Sequence, residues 1–314
     1  MINLLITGGC GFIGSNFINH IFYKNKYNII NLDAMYYCAD ENRINNDIRE
    51  SRNYKFVKGN TISEDLINYI LNNNNIECVI NFAAQSHVQN SFEDSLLYTK
   101  DNTLATHVLL ECCRKYGKIK KFIHVSTDEV YGESNLNDSE KDEQSLLCPT
   151  NPYAASKAAA ELIAQSYLHS FKLPIIISRG NNVYGPNQYP EKVIPRFVNQ
   201  LKNNEKVTIQ GDGSCLRSFL HSYDTATAFE TILEKGIVGQ IYNIGCEENM
   251  EISVLDLAKL LIKMIKNTDE FEKWITFIED RPFNDKRYFI SNDKLKSLGW
   301  EITISLNQGL DELI

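Results

Sequence analysis

The sequence lacks long apolar runs, clusters of basic residues and paired cysteines. No stretch approaches the roughly 18 uncharged apolar residues of a membrane-spanning helix, and no basic segment precedes the glycines that follow Thr7. Neither a membrane span nor a secretory leader is therefore expected. The net charge is -8, which argues against nucleic-acid binding. Any anionic ligand must meet a local basic pocket.

The cysteines exclude two further kinds of protein. The chain has 8 cysteines and no C-x-x-C pair, so we predict neither a disulfide framework nor a zinc site, and we assign no metal ligands. A reducing, cytoplasmic environment fits this usage best. Cys112 and Cys113 lie among apolar residues of a predicted helix and are expected in the core.

Composition and length set the class of fold. The chain has 314 residues, of which 43% are hydrophobic and 23% charged, as in ordinary globular proteins of one large or two modest domains. Short apolar runs alternate with segments of helical spacing, which predicts a parallel, doubly wound, Rossmann-like α/β sheet. The predicted strands are 3–6, 28–32, 55–57, 78–81, 121–125 and 174–178, and the helices are 12–23, 64–71, 95–116 and 153–171.

The pattern loosens after Arg179, where a smaller mixed α/β domain is expected. Its predicted helices are 192–203 and 254–266, and its predicted strands are 207–210 and 275–278. The asparagine run 72–75 and the polar stretch 133–144 are interpreted as surface loops.

A glycine-rich loop follows the first predicted strand. Residues 7–14 read TGGCGFIG, and Gly8, Gly11 and Gly14 satisfy G-x-x-G-x-x-G at the start of a helix that also contains Phe12 and Ile13. Such a turn lets backbone N–H groups approach a pyrophosphate. An isolated motif of this kind also occurs as a turn without a ligand.

Asp33 supports a dinucleotide and indicates which one. It closes the second predicted strand nineteen residues after Gly14, where a carboxylate accepts bonds from an adenosine ribose. A 2′-phosphate would place like charges a few ångströms apart, and nothing basic follows at 34–36. The predicted cofactor is NAD rather than NADP.

Two adjacent carboxylates follow the fifth predicted strand. Residues 126–132 read STDEVYG, so Thr127, Asp128 and Glu129 reach the carboxyl end of the sheet, where open α/β sheets bind ligands. Downstream, Tyr153 and Lys157 are spaced i and i+4 on one helical face. An ammonium beside a phenol lowers the pKa of the phenol, so Tyr153 is predicted to act as a base near neutral pH.

These motifs resemble the extended short-chain dehydrogenases and, within them, the nucleotide-sugar 4,6-dehydratases of the dTDP-glucose 4,6-dehydratase type. The resemblance covers nearly the whole chain, and the acidic loop carries most of its specificity. Related 4-epimerases and decarboxylases have Ser or Ala at the place of Asp128, and the epimerases also lack the acid at the place of Glu129. Further matching segments are 83–88, 179–186, 190–192, Arg217, 242–245 and 280–282.

The resemblance implies a reaction in which Tyr153 takes the proton of the hexose 4-hydroxyl while NAD accepts hydride from carbon 4. Thr127 would hydrogen-bond the developing ketone. Glu129 would then remove the carbon 5 proton, Asp128 would protonate the departing 6-hydroxyl, and hydride would return to carbon 6. The two carboxyl groups need environments that separate their pKa values.

The resemblance also implies a nucleoside-diphosphate-hexose as substrate. The implied substrate-binding residues are Ser86, His87, Asn182, Glu191, Lys192, Arg217, Arg281 and Asn284. Arg287 is a softer candidate, and His87 is interpreted as a hydrogen-bonded pocket residue without an acid or base role. The implied cofactor contacts add Ala83 and Asn60 to the glycine loop, Asp33, Tyr153 and Lys157.

Three residues depart from the family pattern. Asn60 stands where an Asp usually contacts the adenine amino group, and its carbonyl can still accept that bond. Gln85 replaces a frequent Glu. Asn284 replaces a frequent His in the nucleotide pocket, so UDP-glucose and dTDP-glucose are both open as substrates.

The resemblance gives the domains and the assembly. Residues 1–178, with a return segment near 218–245, are expected to form the NAD-binding domain, and 179–217 with 246–314 the nucleotide-sugar-binding domain. In the family the helices that correspond to 95–116 and 153–171 pack against their twins, which implies a homodimer. The alternatives are a nucleotide-sugar 4-epimerase or decarboxylase of the same fold, or an NAD-binding regulator without activity.

Overall fold

A parallel sheet of seven strands forms the centre of the computed structural model, which describes residues 1–280 and 283–314. The strands in the described ranges are β1 (Ile2–Thr7), β2 (Tyr27–Asp33), β3 (Tyr54–Lys58), β4 (Cys78–Asn81), β5 (Lys121–Thr127), β6 (Ile175–Gly180), β7 (Asn182–Tyr184), β8 (Val207–Gln210), β9 (Leu216–His221), β10 (Ile241–Ile244), β11 (Glu251–Ser253) and β12 (Ile275–Ile278).

Helices connect these strands and cover both faces of the sheet. They are α1 (Phe12–Phe22), α2 (Asn46–Arg49), α3 (Glu64–Asn73), α4 (Val88–Glu93), α5 (Ser95–Tyr98), α6 (Ala105–Tyr116), α7 (Pro152–Phe171), α8 (Val193–Lys202), α9 (Ser222–Lys235), α10 (Val254–Lys266), α11 (Asp293–Lys296) and α12 (Leu306–Asp311).

The strand order places the site. In the large sheet the order is β10-β6-β5-β4-β1-β2-β3, so the direction of winding reverses between β1 and β4. Ligands of open α/β sheets bind at such a reversal, beyond the carboxyl ends of the strands. The predicted doubly wound parallel sheet is confirmed, and all six predicted strands belong to it.

Alternating side chains of β1 feed two separate cores. Leu4 and Ile6 pack on α1 and α9 on one face, whereas Leu5 packs on α3, α6 and α7 on the other. Because successive side chains of a strand point to opposite faces, one short apolar strand is buried on both sides. Cys112 and Cys113 lie in the second core.

A third core lies in the later part of the chain. It is formed by α8 and α10 against β8, through residues such as Phe197, Leu261 and Ile209. The strand pair β8 and β12 is parallel, and β7, β9 and β11 form a separate sheet of three strands. In the sequence between β9 and β11, the segment 222–244 returns to the large sheet. It contributes α9, which packs beside α1, and β10, which pairs with β6. Sequence analysis did not predict the strands β7, β9, β10 and β11 or the helix α9.

Two sequence predictions were wrong in detail. The predicted helix 95–116 contains a π-helical segment at Thr99–Leu104, and this wider turn buries Asp101 and Asn102. The Asn102 side chain bonds both backbone groups of Gln85, at 2.7 and 3.0 Å. The asparagine run 72–75 is not wholly a loop, because α3 continues to Asn73.

A buried ion pair fixes α7 on the sheet. Arg179 of β6 lies 2.7 Å from Glu161 of α7, and both side chains are almost fully buried. Arg179 also donates to the Tyr131 hydroxyl at 2.7 Å. Removing one partner of such a pair leaves a buried charge without its counter-charge. The ion pair therefore stabilises the packing of α7 on β6.

Within the described ranges, every helix is too short or too polar to cross a lipid bilayer.

Candidate active site

A cavity of about 720 Å³ opens at the carboxyl ends of the strands, where the winding of the sheet reverses. Apart from Arg287, every described residue that the sequence analysis assigned to catalysis, cofactor or substrate lines it. Arg281 lies outside the described residues. The predicted residues therefore converge on one place, although they come from distant parts of the chain.

The glycine loop leaves room for a ligand backbone. Gly8 has φ 73°, in the left-handed region that favours glycine, and a Cβ there would lie 2.7 Å from the Ala83 backbone. A Cβ on Gly14 would collide with the Gly8 carbonyl oxygen. The first turn of α1 begins at Phe12, and helix N-termini present N–H groups without intrahelical partners. This cradle fits a pyrophosphate.

Asp33 is held rigidly at the end of β2. Its two carboxylate oxygens accept the backbone N–H groups of Cys10 at 2.9 Å and Met35 at 2.8 Å. Burial raises the pKa of Asp33, while these two bonds and the charge of Arg43 act in the opposite direction. Sequence analysis overlooked Arg43. Its guanidinium bonds the Cys38 carbonyl at 2.6 Å.

Asn60 faces the same half of the cavity through a small polar network. Its Oδ1 accepts the Ile62 N–H at 2.9 Å, and its Nδ2 donates to the Tyr36 hydroxyl at 2.9 Å. Tyr36 also hydrogen-bonds Asp101 of the π-helical segment. An amide oxygen can accept two hydrogen bonds, so Asn60 Oδ1 still has room for a bond from the adenine amino group. This contact stays a prediction.

Tyr153 and Lys157 lie on the inner face of α7, but not in the predicted electrostatic relation. Thr127 lies beside the Tyr153 hydroxyl and acts to lower its pKa, whereas Lys157 Nζ donates to the Val125 carbonyl at 2.6 Å. Burial raises the pKa of Tyr153, and the negative charges of Glu129 and Asp128 raise it further. In the protein alone, burial and the two carboxylates outweigh the predicted lowering of this pKa by Lys157. Burial lowers the pKa of Lys157 to about 8.

The adjacent carboxyl groups have different surroundings. Asp128 is buried, and burial together with the charge of Glu129 raises its pKa to about 7. Glu129 is partly exposed, and burial raises its pKa against the effects of Asn151 and Arg217. A carboxyl group with a pKa near 7 is protonated for part of the time at neutral pH, as a general acid must be.

Three neighbours of the carboxyl pair were missed by sequence analysis. Asn181 Nδ2 donates to Asp128 Oδ2 at 2.6 Å, and Asn151 Nδ2 donates to Glu129 Oε2 at 3.0 Å. Tyr288 lies 3.3 Å from the same Glu129 oxygen. Asn151 also caps α7 through its Oδ1, and Pro at the next position is the one sequence signal for that cap.

Two substrate candidates, Arg217 and Asn284, lie near Tyr288 and the carboxyl pair. Arg217 Nη2 donates to Asn284 Oδ1 at 3.0 Å, and Asn284 Nδ2 donates to Asp280 at 3.1 Å. The guanidinium of Arg217 also lies over the Tyr288 ring. Arg287 is not part of this group, because it forms a buried ion pair with Glu251 at 2.8 Å.

The remaining candidates join the segment before α8 to the loop after β4. Lys192 Nζ donates to the Ser86 carbonyl at 3.0 Å, and Glu191 accepts the Tyr37 hydroxyl at 3.0 Å. His87 Nδ1 lies 2.8 Å from Asn90 Oδ1. Asn182 begins β7 and lines the cavity.

Comparison with known proteins gives matches over nearly the whole length of this chain. The family model described as GDP-mannose 4,6 dehydratase matches residues 5–313. A trifunctional UDP-glucose 4,6-dehydratase/UDP-4-keto-6-deoxy-D-glucose 3,5-epimerase/UDP-4-keto-L-rhamnose-reductase of Arabidopsis thaliana is 47% identical over 98% of this chain and 46% of that protein. The chain thus spans about half of that relative. The dTDP-D-glucose 4,6-dehydratase of Homo sapiens is 45% identical over 99% of this chain and 88% of that protein.

A solved structure matches the whole fold. It is the dTDP-glucose 4,6-dehydratase from Bacillus anthracis in complex with NAD, 36% identical, with a TM-score of 0.90 over 100% of this chain and 95% of that chain.

Proposed function

Since the chain belongs to the GDP-mannose 4,6-dehydratase family, we propose that it converts a nucleoside-diphosphate-glucose to the 4-keto-6-deoxy sugar by NAD-dependent dehydration. The observation that carries this proposal is the carboxyl pair Asp128 and Glu129, which shares one cavity with Tyr153 and Thr127. The resemblance inferred from the motifs is confirmed by the family match.

The cofactor is NAD, for which the glycine cradle and Asp33 supply the binding groups. When bound, NAD would accept hydride from carbon 4 and return it to carbon 6, and its oxidised nicotinamide ring would add a positive charge to the site. The carboxylate of Asp33 is oriented by two N–H groups and accepts bonds from the ribose hydroxyls.

Residues of α7 and β5 carry out the oxidation at carbon 4. Tyr153 removes the proton of the 4-hydroxyl, and the Thr127 hydroxyl, which lies beside Tyr153, stabilises the oxygen that becomes the ketone. Lys157 places a positive charge behind the phenol from its position on the Val125 carbonyl. Because burial raises the pKa of Tyr153 in the protein alone, cationic charge is required for this step.

Elimination across carbons 5 and 6 falls to the carboxyl pair. Glu129 removes the carbon 5 proton that the neighbouring ketone acidifies, and Asp128 gives its proton to the departing 6-hydroxyl, which leaves as water. Glu129 then returns its proton to carbon 5. Asp128 is reprotonated in exchange for the proton that Tyr153 took, so the protein ends as it began. The raised pKa of Asp128, about 7, supports its role as the acid.

The diphosphate, and the sugar that must reach Tyr153 and the carboxyl pair, are assigned to further residues around the same cavity. We assign Arg217, Arg281 and Asn182 to the phosphates, and Ser86, His87, Glu191 and Lys192 to the sugar side. Asn284 bonds Arg217, so the residue that departs from the family pattern adjoins a proposed phosphate contact. UDP-glucose and dTDP-glucose are both proposed as substrates.

We propose the same division of labour for the two parts of the chain as the sequence predicts. Residues 1–178 with the return near 218–245 hold the cofactor, and 179–217 with 246–314 hold the nucleotide sugar. The pairing of β10 with β6 and the separate core of α8 and α10 support this division. The unpaired state of all 8 cysteines supports a cytoplasmic location.

We further propose a homodimer formed through α6 and α7. Leu104, just before α6, and Leu162 of α7 are 47% and 59% exposed, although both helices pack side by side on one face of the sheet. Light scattering should give twice the mass of the chain, and Leu162→Glu should lower that mass. A monomeric parent would refute the dimer.

A same-fold epimerase or decarboxylase is disfavoured by Asp128 and Glu129, and a regulator without activity by the intact set of Thr127, Tyr153 and Lys157. Product mass distinguishes these candidates. The protein is incubated separately with UDP-glucose and dTDP-glucose, and the molecular mass of each product is measured by mass spectrometry. Dehydration removes one water, epimerisation leaves the mass unchanged, and decarboxylation requires an acid substrate. An unchanged mass with both sugars would reject the proposal.

A further inference from the structure

The hydroxyl of Tyr288 lies between two carboxylates. It donates to Asp285 Oδ2 through a short hydrogen bond and lies 3.3 Å from Glu129 Oε2. Tyr288 is 7% exposed. A phenol has one proton and two lone pairs. When the hydroxyl donates this hydrogen bond to Asp285, the lone pairs of the Tyr288 oxygen face Glu129 and can accept a hydrogen bond from it.

Asp285 is itself held in place. Thr150 donates its hydroxyl to Asp285 Oδ1 at 2.8 Å, and Asp285 is buried. The next residue, Asn151, donates to Glu129 at 3.0 Å. The segment before α7 therefore contacts Glu129 directly and also anchors Asp285.

This arrangement matches the carboxylic acid form of Glu129. Ionised Glu129 offers no proton to the Tyr288 oxygen, whereas protonated Glu129 donates one and completes a chain from Glu129 through Tyr288 to Asp285. Charge-assisted hydrogen bonds of this kind are among the strong ones. The chain needs no further proton, because the one on Glu129 is the proton taken from carbon 5 and later returned there.

We propose that Tyr288, held by Asp285, is a positioning residue that stabilises the protonated form of Glu129 during elimination. The inference rests on the proposed function, since it concerns the base of that reaction. It gives the segment 285–288 a part in the chemistry.

The charges around Glu129 determine in which direction its pKa should change in the variants. Asp285 raises the pKa of Glu129, while Arg217 and Lys192 lower it. The other titratable groups that face it are Asp128, Tyr153 and Tyr288. Removing the charge of Asp285, or the acceptor oxygen of Tyr288, should therefore lower the pKa of Glu129 and weaken it as a base.

The test separates oxidation from elimination in single-turnover reactions over a range of pH. The variants are Tyr288→Phe and Asp285→Asn, and the control is Tyr184→Phe, whose buried hydroxyl contacts backbone carbonyls near α12. Reduced nicotinamide should form at the parent rate in all variants. Its decay should slow about tenfold or more in Tyr288→Phe and Asp285→Asn, as typical for weakened acid–base catalysis, and not in the control.

The pH profile distinguishes this role from a structural one. Glu129 must be ionised to act as a base, so elimination falls as pH drops through its pKa. In both variants that acid limb should move to lower pH. An unmoved limb, a limb moved to higher pH, or equal slowing of both phases would overturn the proposal. If Asp285→Asn does not fold, Tyr288→Phe alone decides. A parent that forms no dehydrated product would instead reject the proposed function.

Discussion

Asn181 donates its Nδ2–H to Asp128 Oδ2 at 2.6 Å and cannot turn its amide over, because its Oδ1 accepts the Cys246 N–H at 2.9 Å. The oriented amide stabilises ionised Asp128 and so limits the rise in the pKa of that carboxyl group, which burial raises to about 7. Asn181 therefore tunes the proposed acid while remaining outside the reacting atoms.

Asn181→Ala should raise the pKa of Asp128 above about 7. Asp128 acts in its protonated form, so elimination is lost as pH rises through this pKa, and the basic limb of the rate profile should move to higher pH. Asn292→Ala is the control, since Asn292 is also buried and bonds the Gly245 carbonyl at 3.0 Å. A basic limb unmoved in Asn181→Ala would show that another group titrates there.

Asp33 should discriminate between NAD and NADP. A 2′-phosphate near this carboxylate meets a repulsion of about 1 to 4 kcal/mol at 4 Å, depending on the effective dielectric. Calorimetry should show that NAD binds at least about fivefold more tightly than NADP. Asp33→Ser should reduce this difference in affinity. Asp65→Ser, an exposed change on α3, should leave it intact. Equal binding of the two cofactors by the parent would contradict the assignment.

Gly8→Ala should destabilise the protein and weaken NAD binding. The left-handed backbone alone costs a side chain about 1–2 kcal/mol, and a Cβ at Gly8 also meets the Ala83 backbone at 2.7 Å. Gly117→Ala is the matched control, since Gly117 has φ 69° but a Cβ there would lie 4.0 Å from the Arg114 carbonyl oxygen, an ordinary contact distance. Thermal melting should show a larger loss for Gly8→Ala, and calorimetry a loss of NAD affinity in that variant alone.

The large sheet was predictable from the sequence because its strands are short, apolar and buried on both faces. Val207–Gln210 and Ile275–Ile278 were also predictable because they are short and rich in β-branched residues, although Ile275–Ile278 is mostly exposed. By contrast, Leu216–His221 mixes apolar residues with Arg, Ser and His, and three-residue strands such as Asn182–Tyr184 form only through distant pairing. The π-helical turn at Thr99–Leu104 was hidden because helical spacing does not reveal one inserted residue.

The location of the site was predictable for a similar reason, since carboxyl ends of parallel strands share one edge. The partners of the carboxyl pair were not predictable, because Asn181 and Tyr288 reach it through tertiary contacts that leave no periodic pattern. The rise in the pKa of Tyr153 was not predictable, because it depends on burial and on the charge of Glu129. Spacing showed that Lys157 is near, but the bond to Val125 appears only in the folded chain.

The central claim is that Tyr153 with Thr127 performs oxidation, whereas Asp128 and Glu129 perform elimination. Glu129→Gln keeps the shape of the side chain and removes the base, so reduced nicotinamide and the 4-keto hexose should accumulate on the enzyme. Asp128→Asn should behave similarly, because an amide has no acidic proton for the leaving hydroxyl. Tyr153→Phe should leave the cofactor oxidised.

The decisive measurement is the absorbance of reduced nicotinamide in a single turnover of Glu129→Gln. We predict that it rises and then decays about a hundredfold to ten-thousandfold more slowly than in the parent, the usual contribution of a general base. Decay at the parent rate, or no absorbance from Glu129→Gln while Tyr153→Phe produces it, would contradict the assignment.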